Sequence, residues 1–305
     1  MRKPLTKPMP YPPLKLPAES EIGVLSKGVQ NIPHLSRLLG YPLLLKSGTG
    51  FVRPVSAIAG WGHKPTANVA RRYALQHKLP YLALEDGFLR SIGLGRDSPP
   101  QSLVLDDVGI YYDASVPSRL EQLIGQALTV EQQHRAEALI ELWRNAGISK
   151  YNHLRDFAGD LPNDYVLLVD QTYDDASVTL GGANAESFTA MLEAALRLYP
   201  KATLLLKSHP EASAGQKRGY FETSRYAKHP RIHILSEAVH PVRLIREAQA
   251  IFTVTSQLGF EGLLWQKPVH TYGMPFYAGW GLTRDALPAS PRLSLIHISE
   301  PTRPY

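Results

Sequence analysis

The chain has 305 residues, of which 44% are hydrophobic and 20% charged, with no cysteine and a formal net charge of +6. The length accommodates two domains, and the lack of cysteine excludes disulfides, zinc–thiolate sites and a thiol nucleophile. The modest positive balance favours an anionic partner (a nucleotide, an acidic sugar or an anionic membrane surface) and makes no case for nucleic acid.

No apolar run reaches the ~20 residues that a bilayer-spanning helix needs. The start, MRKPLTKPMPYPPLKLP, has basic residues and prolines but no apolar segment of a secretory signal. Residues 1–20 are therefore expected to form an extended leader, and the expected compartment is the cytoplasm. Ile22 to Leu25 reads as a first strand followed by the turn Ser26-Lys27-Gly28. Ile32, Leu35, Leu38 and Leu39 have helical spacing, and Val55 to Trp61 is the next strand. Pro65 suits the first turn of a helix over Ala67 to His77, which carries Arg71 and Arg72. Tyr81 to Leu84 is a strand that ends in Glu85-Asp86-Gly87. Ser102 to Leu105 and Gly109 to Tyr112 flank Asp106-Asp107 and suggest a hairpin. Leu120, Leu123, Ile124 and Ala127 mark an amphipathic helix. Thr129 with Gln132 forms a capping-box signature for a helix that runs to about Asn145 and stops at Gly147.

Ser149 to Asn163 is polar and contains glycine and proline, so it separates an N-terminal α/β domain, residues 21–150, from a second domain, residues 160–292. The second domain reads as strands Val166–Val169, Thr203–Leu206, Ile232–Leu235, Ile251–Val254 and Val269–Tyr272. Helices over Glu186–Tyr199, Gly219–Lys228, Val242–Ala248 and Leu258–Trp265 alternate with them. This alternation predicts right-handed crossovers and a parallel sheet. Residues Leu293 to Arg303, LSLIHISEPTR, resemble the translation of a sequencing adapter. Residues 293–305 are accordingly expected not to be native, and the native frame to be cut near Arg292.

The stretch that organises the second domain is Val166 to Ser177, VLLVDQTYDDAS, an apolar run that ends in Asp170, Asp174 and Asp175. Ligands of open α/β sheets sit at the carboxyl ends of the strands, where these acids fall. Other polar clusters follow other strands: Glu85-Asp86-Gly87, Lys207-Ser208-His209-Pro210, Thr253 to Gln257 with Glu261, and Gly273 to Gly281. Lys207 and His209 can hold a phosphate. Thr255 and Ser256 precede a helix, where they either help bind an anion or simply cap the backbone. Glu261 either accepts ribose hydroxyls or complements the helix dipole. One acid of Glu85 and Asp86 can act as a general acid/base if its pKa is raised; otherwise both are solvated turn residues. Tyr277 and Trp280 either line a sugar pocket or pack a lid. The chain has no Walker A sequence, no G-x-G-x-x-G fingerprint and no His-Glu-x-x-His. Two α/β units facing across a cleft are the layout of a GT-B nucleotide-sugar transferase.

WGHKPTA at 61–67, LEDGFLRSIGLG at 84–95, DDVGIYYDAS at 106–115, DQTYDDAS at 170–177, KSHP at 207–210 and TSQLGFEGLLWQKPV at 255–269 resemble the KpsC-type capsule β-Kdo transferases. The resemblance extends from about Ile22 to Asp285. It implies a bacterial enzyme that moves 3-deoxy-D-manno-octulosonic acid (Kdo) from CMP-Kdo, with retention, onto a phosphatidylglycerol-based glycolipid primer. It implies Asp175 as the nucleophile, Glu85 or Asp86 as acid/base, and a donor site comprising Lys207, His209, Pro210, Thr255, Ser256, Gln257 and Glu261. Asp174 stays an alternative nucleophile, and Asp170 is the expected structural carboxylate. Neither a metal nor a separate cofactor is expected. Other capsule biosynthesis proteins are expected partners, and a peripheral position on the inner face of the cytoplasmic membrane is compatible with the glycolipid. The alternatives are a non-catalytic CMP-binding or docking module and a transferase for UDP or GDP sugars.

Overall fold

The computed structural model describes residues 16–93, 98–208 and 218–288. The expectations for His209 and Pro210, for most of the leader and for the adapter-like end lie outside the described residues. The described end of the leader is anchored: Leu16 packs against the first core, and the Tyr41 hydroxyl donates to its carbonyl at 3.2 Å.

The N-terminal half is built on a five-stranded sheet of order β2-β1-β3-β4-β5. Its strands are β1 (Ile22–Val24), β2 (Leu43–Leu45), β3 (Ala57–Trp61), β4 (Tyr81–Asp86) and β5 (Leu103–Asp106). The first four run parallel, whereas β5 pairs antiparallel with β4. This corrects the expected hairpin. Leu103–Asp106 spends its backbone bonds on β4, and residues 109–112 form no strand, 111–112 making a turn instead. Helices α1 (Lys27–Gln30) and α2 (Leu35–Leu39) replace the expected turn at 26–28 and the single helix from Ile32. Helix α3 (Asn68–Gln76) lies on the sheet through Ala70 and Ala74. Helices α4 (Arg119–Ile124) and α5 (Val130–Ala146) open with complete capping boxes at Ser118 and Thr129. Gly147, in the left-handed region at φ 58°, closes α5 as the sequence predicts.

The second half holds a six-stranded, wholly parallel sheet of order β11-β10-β9-β6-β7-β8. The strands are β6 (Tyr165–Val169), β7 (Thr203–Lys207), β8 (Ile232–Leu235), β9 (Ala250–Thr253), β10 (Val269–Thr271) and β11 (Arg284–Asp285). The helices are α6 (Ala176–Leu180), α7 (Ala185–Leu198), α8 (Thr223–Tyr226), α9 (Val242–Glu247) and α10 (Gln257–Leu264). The helix expected over Gly219 to Lys228 shrinks to α8, because Gly219 and Tyr220 bond instead to the segment after β6.

The period of two along a strand explains why β6 reads as unbroken apolar sequence. Val166 and Leu168 enter one core with Phe188, Met191 and Phe252, while Tyr165, Leu167 and Val169 enter the opposite core with Leu244, Ile245 and Ile251. The strand order reverses between β6 and β9, since the chain moves outward through β7 and β8 and then returns beside β6. That switch point puts the loops after β6 and β9 next to each other. Together the two halves form two Rossmann-like domains facing across a cleft, the GT-B-like arrangement.

Leu168 is fully buried on the central strand. Leu168→Ala is expected to lower unfolding free energy by ~3 kcal/mol, the usual cost of a cavity in such a core. Urea unfolding followed by circular dichroism checks this, and a loss below ~1 kcal/mol would contradict the packing described.

Candidate active site

A cleft of about 760 Å³ lies between the halves. It is large enough for a nucleotide-sized ligand. Its walls bring together Glu85 and Asp86 from the end of β4, the loop Asp170–Ser177, Lys207, Thr255 to Gln257, and Glu261. The polar clusters that the sequence places after separate strands therefore converge, apart from the undescribed His209 and Pro210. In the loop Gly273–Gly281 only Pro275 and Phe276 reach the cleft. Tyr277 is buried and its hydroxyl donates to the Ser256 carbonyl at 2.6 Å, and Trp280 Nε1 donates to the Phe276 carbonyl at 2.9 Å, so both are packing residues.

The loop after β6 separates its three acids by role. Asp170 Oδ1 accepts the backbone N–H groups of Gln171 at 2.8 Å and Tyr220 at 3.0 Å, tying the loop to the segment around Gly219. A Cβ at residue 219 would stand 2.1 Å from Asp170 Oδ2, so the close approach requires glycine. Burial pushes the Asp170 pKa up to about 6 in spite of the backbone donors. Asp174 sits in the left-handed region at φ 61°, a conformation that aspartate tolerates, and turns the chain into α6. Asp175 caps that helix, its Oδ1 accepting Ser177 N–H at 2.9 Å. That bond fixes the carboxylate at the cleft wall.

Across the switch point Gln171 clamps Thr255. Its Oε1 accepts Thr255 N–H at 2.9 Å and its Nε2 donates to Thr255 Oγ1 at 3.0 Å. Ser256 caps α10 by accepting Leu258 N–H at 3.3 Å. Gln257 Nε2 donates to the Phe88 carbonyl at 2.8 Å, which links the halves. Glu261 is fully buried; its Oε1 accepts Lys150 N–H at 3.3 Å and Gln257 Nε2 at 3.4 Å, while Oε2 has no hydrogen-bond partner. Burial pushes its pKa up to about 7. These five side chains thus line the cleft with much of their hydrogen-bonding capacity already used in positioning it.

The charges left facing the cleft are informative. Lys207 is buried at the end of β7, donates to the Ser208 carbonyl at 3.4 Å and has no carboxylate partner among the described residues. Burial pushes its pKa down to about 8. Glu85 is likewise buried, and burial raises its pKa, opposed by the Lys64 charge and the bond from Asp86 N–H. Asp86 instead pairs with Arg90 at 2.8 Å. The two carboxyls therefore differ as an acid/base site requires: Glu85 is poised to exchange a proton and Asp86 is held by a guanidinium.

Tyr111, Lys64 and Lys150 are cleft residues that the sequence does not single out. Tyr111 lies within the cleft wall, its hydroxyl pKa raised by burial and further by Glu85, Tyr112, Asp86 and Asp175. Lys64 and Lys150 also line the cleft. Tyr111 stands in the stretch DDVGIYYDAS, but no spacing rule points a tyrosine across a domain boundary. Among the described residues no cluster of three or more His, Cys, Asp or Glu side chains is placed to hold a metal ion, and no helix is long and apolar enough to cross a membrane.

A family model described as capsule polysaccharide biosynthesis protein matches residues 56–159 and 143–300. The capsule polysaccharide modification protein LipA of Neisseria meningitidis is 43% identical over 272 residues in a serogroup A strain, covering 86% of this chain and 38% of the relative. The serogroup B protein is 43% identical over 277 residues, again 38% of its length. The chain therefore spans about two fifths of the length of these curated relatives. Among solved structures, Thermosulfurimonas dismutans KpsC, a beta Kdo 2,4 transferase, matches with TM-score 0.81 and 44% identity, covering 91% of this chain and 89% of that one. A second KpsC structure, a beta Kdo 2,7 transferase, matches with TM-score 0.64 and 28% identity over 90% of this chain and 85% of that one.

Asp170 makes stability depend on pH. Its folded pKa, about 6, lies above the ordinary 3.8, so the folded state holds the proton more tightly and loses stability as pH rises between those values. Asp170→Asn keeps a carbonyl acceptor for the loop N–H groups. Its urea midpoint is expected to gain on that of the natural chain as pH rises through this interval. Parallel midpoints across the interval would contradict the assignment.

Proposed function

The chain belongs to the capsule polysaccharide biosynthesis protein family, and from that premise we propose that it is a retaining β-Kdo glycosyltransferase that uses CMP-Kdo as donor. The acceptor in this reading is a phosphatidylglycerol-based glycolipid primer, extended as a poly-Kdo linker at the inner face of the cytoplasmic membrane. The observation that carries the reading is Lys207, a buried cation without a carboxylate partner among the described residues, in the same cleft as Asp175 and Glu85. A desolvated ammonium of this kind suits the phosphate of a departing nucleotide. The 44% identity to a beta Kdo 2,4 transferase, against 28% to a 2,7 transferase, supports a 2,4 linkage.

The reaction follows from the positions of the acids. Asp175 attacks the anomeric carbon, the bond to the phosphate oxygen breaks, and CMP leaves with its electron pair beside Lys207. Thr255, Ser256 and Glu261 shape the nucleotide end, and His209-Pro210 completes it in this reading. The acceptor hydroxyl then attacks from the face that CMP vacated. Glu85 takes its proton, and the ester to Asp175 breaks. Two inversions give net retention. Fixed charges of the protein stabilise the leaving phosphate, so the proposed reaction has no metal-dependent step.

Asp175→Ala is expected to lower transfer by at least ~10⁴-fold while CMP still binds, whereas Asp174→Asn retains turnover within about tenfold. Product analysis with CMP-Kdo, combined with calorimetry of CMP binding, checks both. Normal turnover by the Asp175 variant would overturn the nucleophile assignment, and turnover only with UDP or GDP sugars would overturn the donor. Glu85→Gln is expected to cost ~10²–10⁴-fold in the transfer step and to remove the rise in rate with pH through the elevated Glu85 pKa. A variant that kept that rise would assign the acid/base role elsewhere.

A further inference from the structure

A second concavity, about 830 Å³, lies on the N-terminal half between helix α3 and the segment 107–116. Pro65 lines both this groove and the cleft, so the two adjoin. Helix α3 turns Ala70 and Ala74 to the sheet and leaves Val69, Arg71, Arg72 and Leu75 outside. Leu75 is 80% exposed and Val69 56%. The sequence of the helix contains no carboxylate, and neither arginine has an ion-pair partner among the described residues. The acids beside the groove are already engaged. Asp107 accepts both Nε and Nη2 of Arg119 at 2.8 Å, and Asp113 Oδ2 bonds His63 Nδ1 at 2.8 Å. A smaller groove on the other flank shares Val69 and Arg72 and adds Lys46.

The face therefore joins unpaired cations to branched apolar side chains held in water. A small soluble anion accounts for the arginines but not for the leucine and valine beside them. An anionic bilayer accounts for both, because guanidinium groups meet headgroup phosphates while apolar side chains enter the acyl boundary. We propose that helix α3 and its flanking groove are the surface by which this chain lies against an anionic phospholipid bilayer. The link to function rests on the glycolipid-acceptor reading: the groove would present a lipid-anchored acceptor to the adjoining cleft.

The test is co-sedimentation with vesicles of phosphatidylglycerol mixed with phosphatidylcholine, and with phosphatidylcholine alone. The natural chain is expected to sediment with the first and not the second. Arg72→Glu and Leu75→Glu are each expected to weaken partitioning about tenfold, with unchanged melting temperature and unchanged transfer to a water-soluble acceptor. Equal binding by the variants would overturn the proposal and point to the basic leader instead. Lack of binding by the natural chain would overturn it as well. So would displacement of the vesicles by millimolar inorganic phosphate, the behaviour of a free-anion site. Transfer to the soluble acceptor does not involve vesicles, so failure here leaves the catalytic reading standing. Loss of transfer with vesicle binding intact would strike the catalytic reading alone.

Discussion

One face of helix α10 holds the two halves in register. Gln257, Glu261 and Leu264 follow at intervals of four and three residues, so they lie on one side of the helix. Each bonds to the other half or to its connection: Gln257 to the Phe88 carbonyl, Glu261 to Lys150 N–H, and the Leu264 carbonyl to the Arg144 guanidinium. Aromatic packing reinforces the same seam. Phe88 stacks on Phe276 at 4.9 Å, and Tyr111 meets Phe276 edge-on at 5.5 Å. The cleft exists with its present walls because this seam fixes how far the end of β4 stands from the loop after β6.

That constraint explains the electrostatics of the site. Glu85, Glu261 and Lys207 are all removed from water, and no ion pair joins them to each other among the described residues. Burial then opposes the charge on each, raising the two carboxyls and lowering the ammonium. Such groups cost stability in the empty protein and gain it back when a ligand supplies the opposite charge or a proton. Asp175 is treated differently, since its helix-capping bond fixes it at the cleft wall. The fold thus fixes one carboxylate by a capping bond and buries another whose pKa is raised, the two positions that the proposed double displacement calls on.

Much of the architecture was legible because burial on two faces leaves a plain signature. The runs Tyr165–Val169, Thr203–Lys207 and Ala250–Thr253 are apolar without alternation, and the sequence reading located them within a residue. The edge strands Leu43–Leu45 and Arg284–Asp285 were missed, the first for its brevity and the second because an edge strand tolerates charged residues. The strand reading of 109–112 failed for another reason: local propensity does not reveal that β5 turns back onto β4. Of the site, the residue types and their convergence at the strand ends of two α/β units were visible. The engagement of Thr255 by Gln171, 84 positions away, and of Gln257 by Phe88, 169 positions away, was not, because the first partner is chosen by the pairing of β6 with β9 and the second by domain docking. Asp170 marks the favourable case, in which a carboxylate nearest the strand end was read as structural and bonds the loop backbone.

The account turns on a covalent intermediate at Asp175, and mass spectrometry tests this most directly. The Glu85→Gln chain, mixed with CMP-Kdo in the absence of acceptor, lacks the base that completes the second displacement. The account predicts a protein species heavier by one Kdo residue, with fragmentation placing the addition on Asp175. An adduct on Asp174, or product of inverted anomeric configuration formed without any adduct, would contradict it.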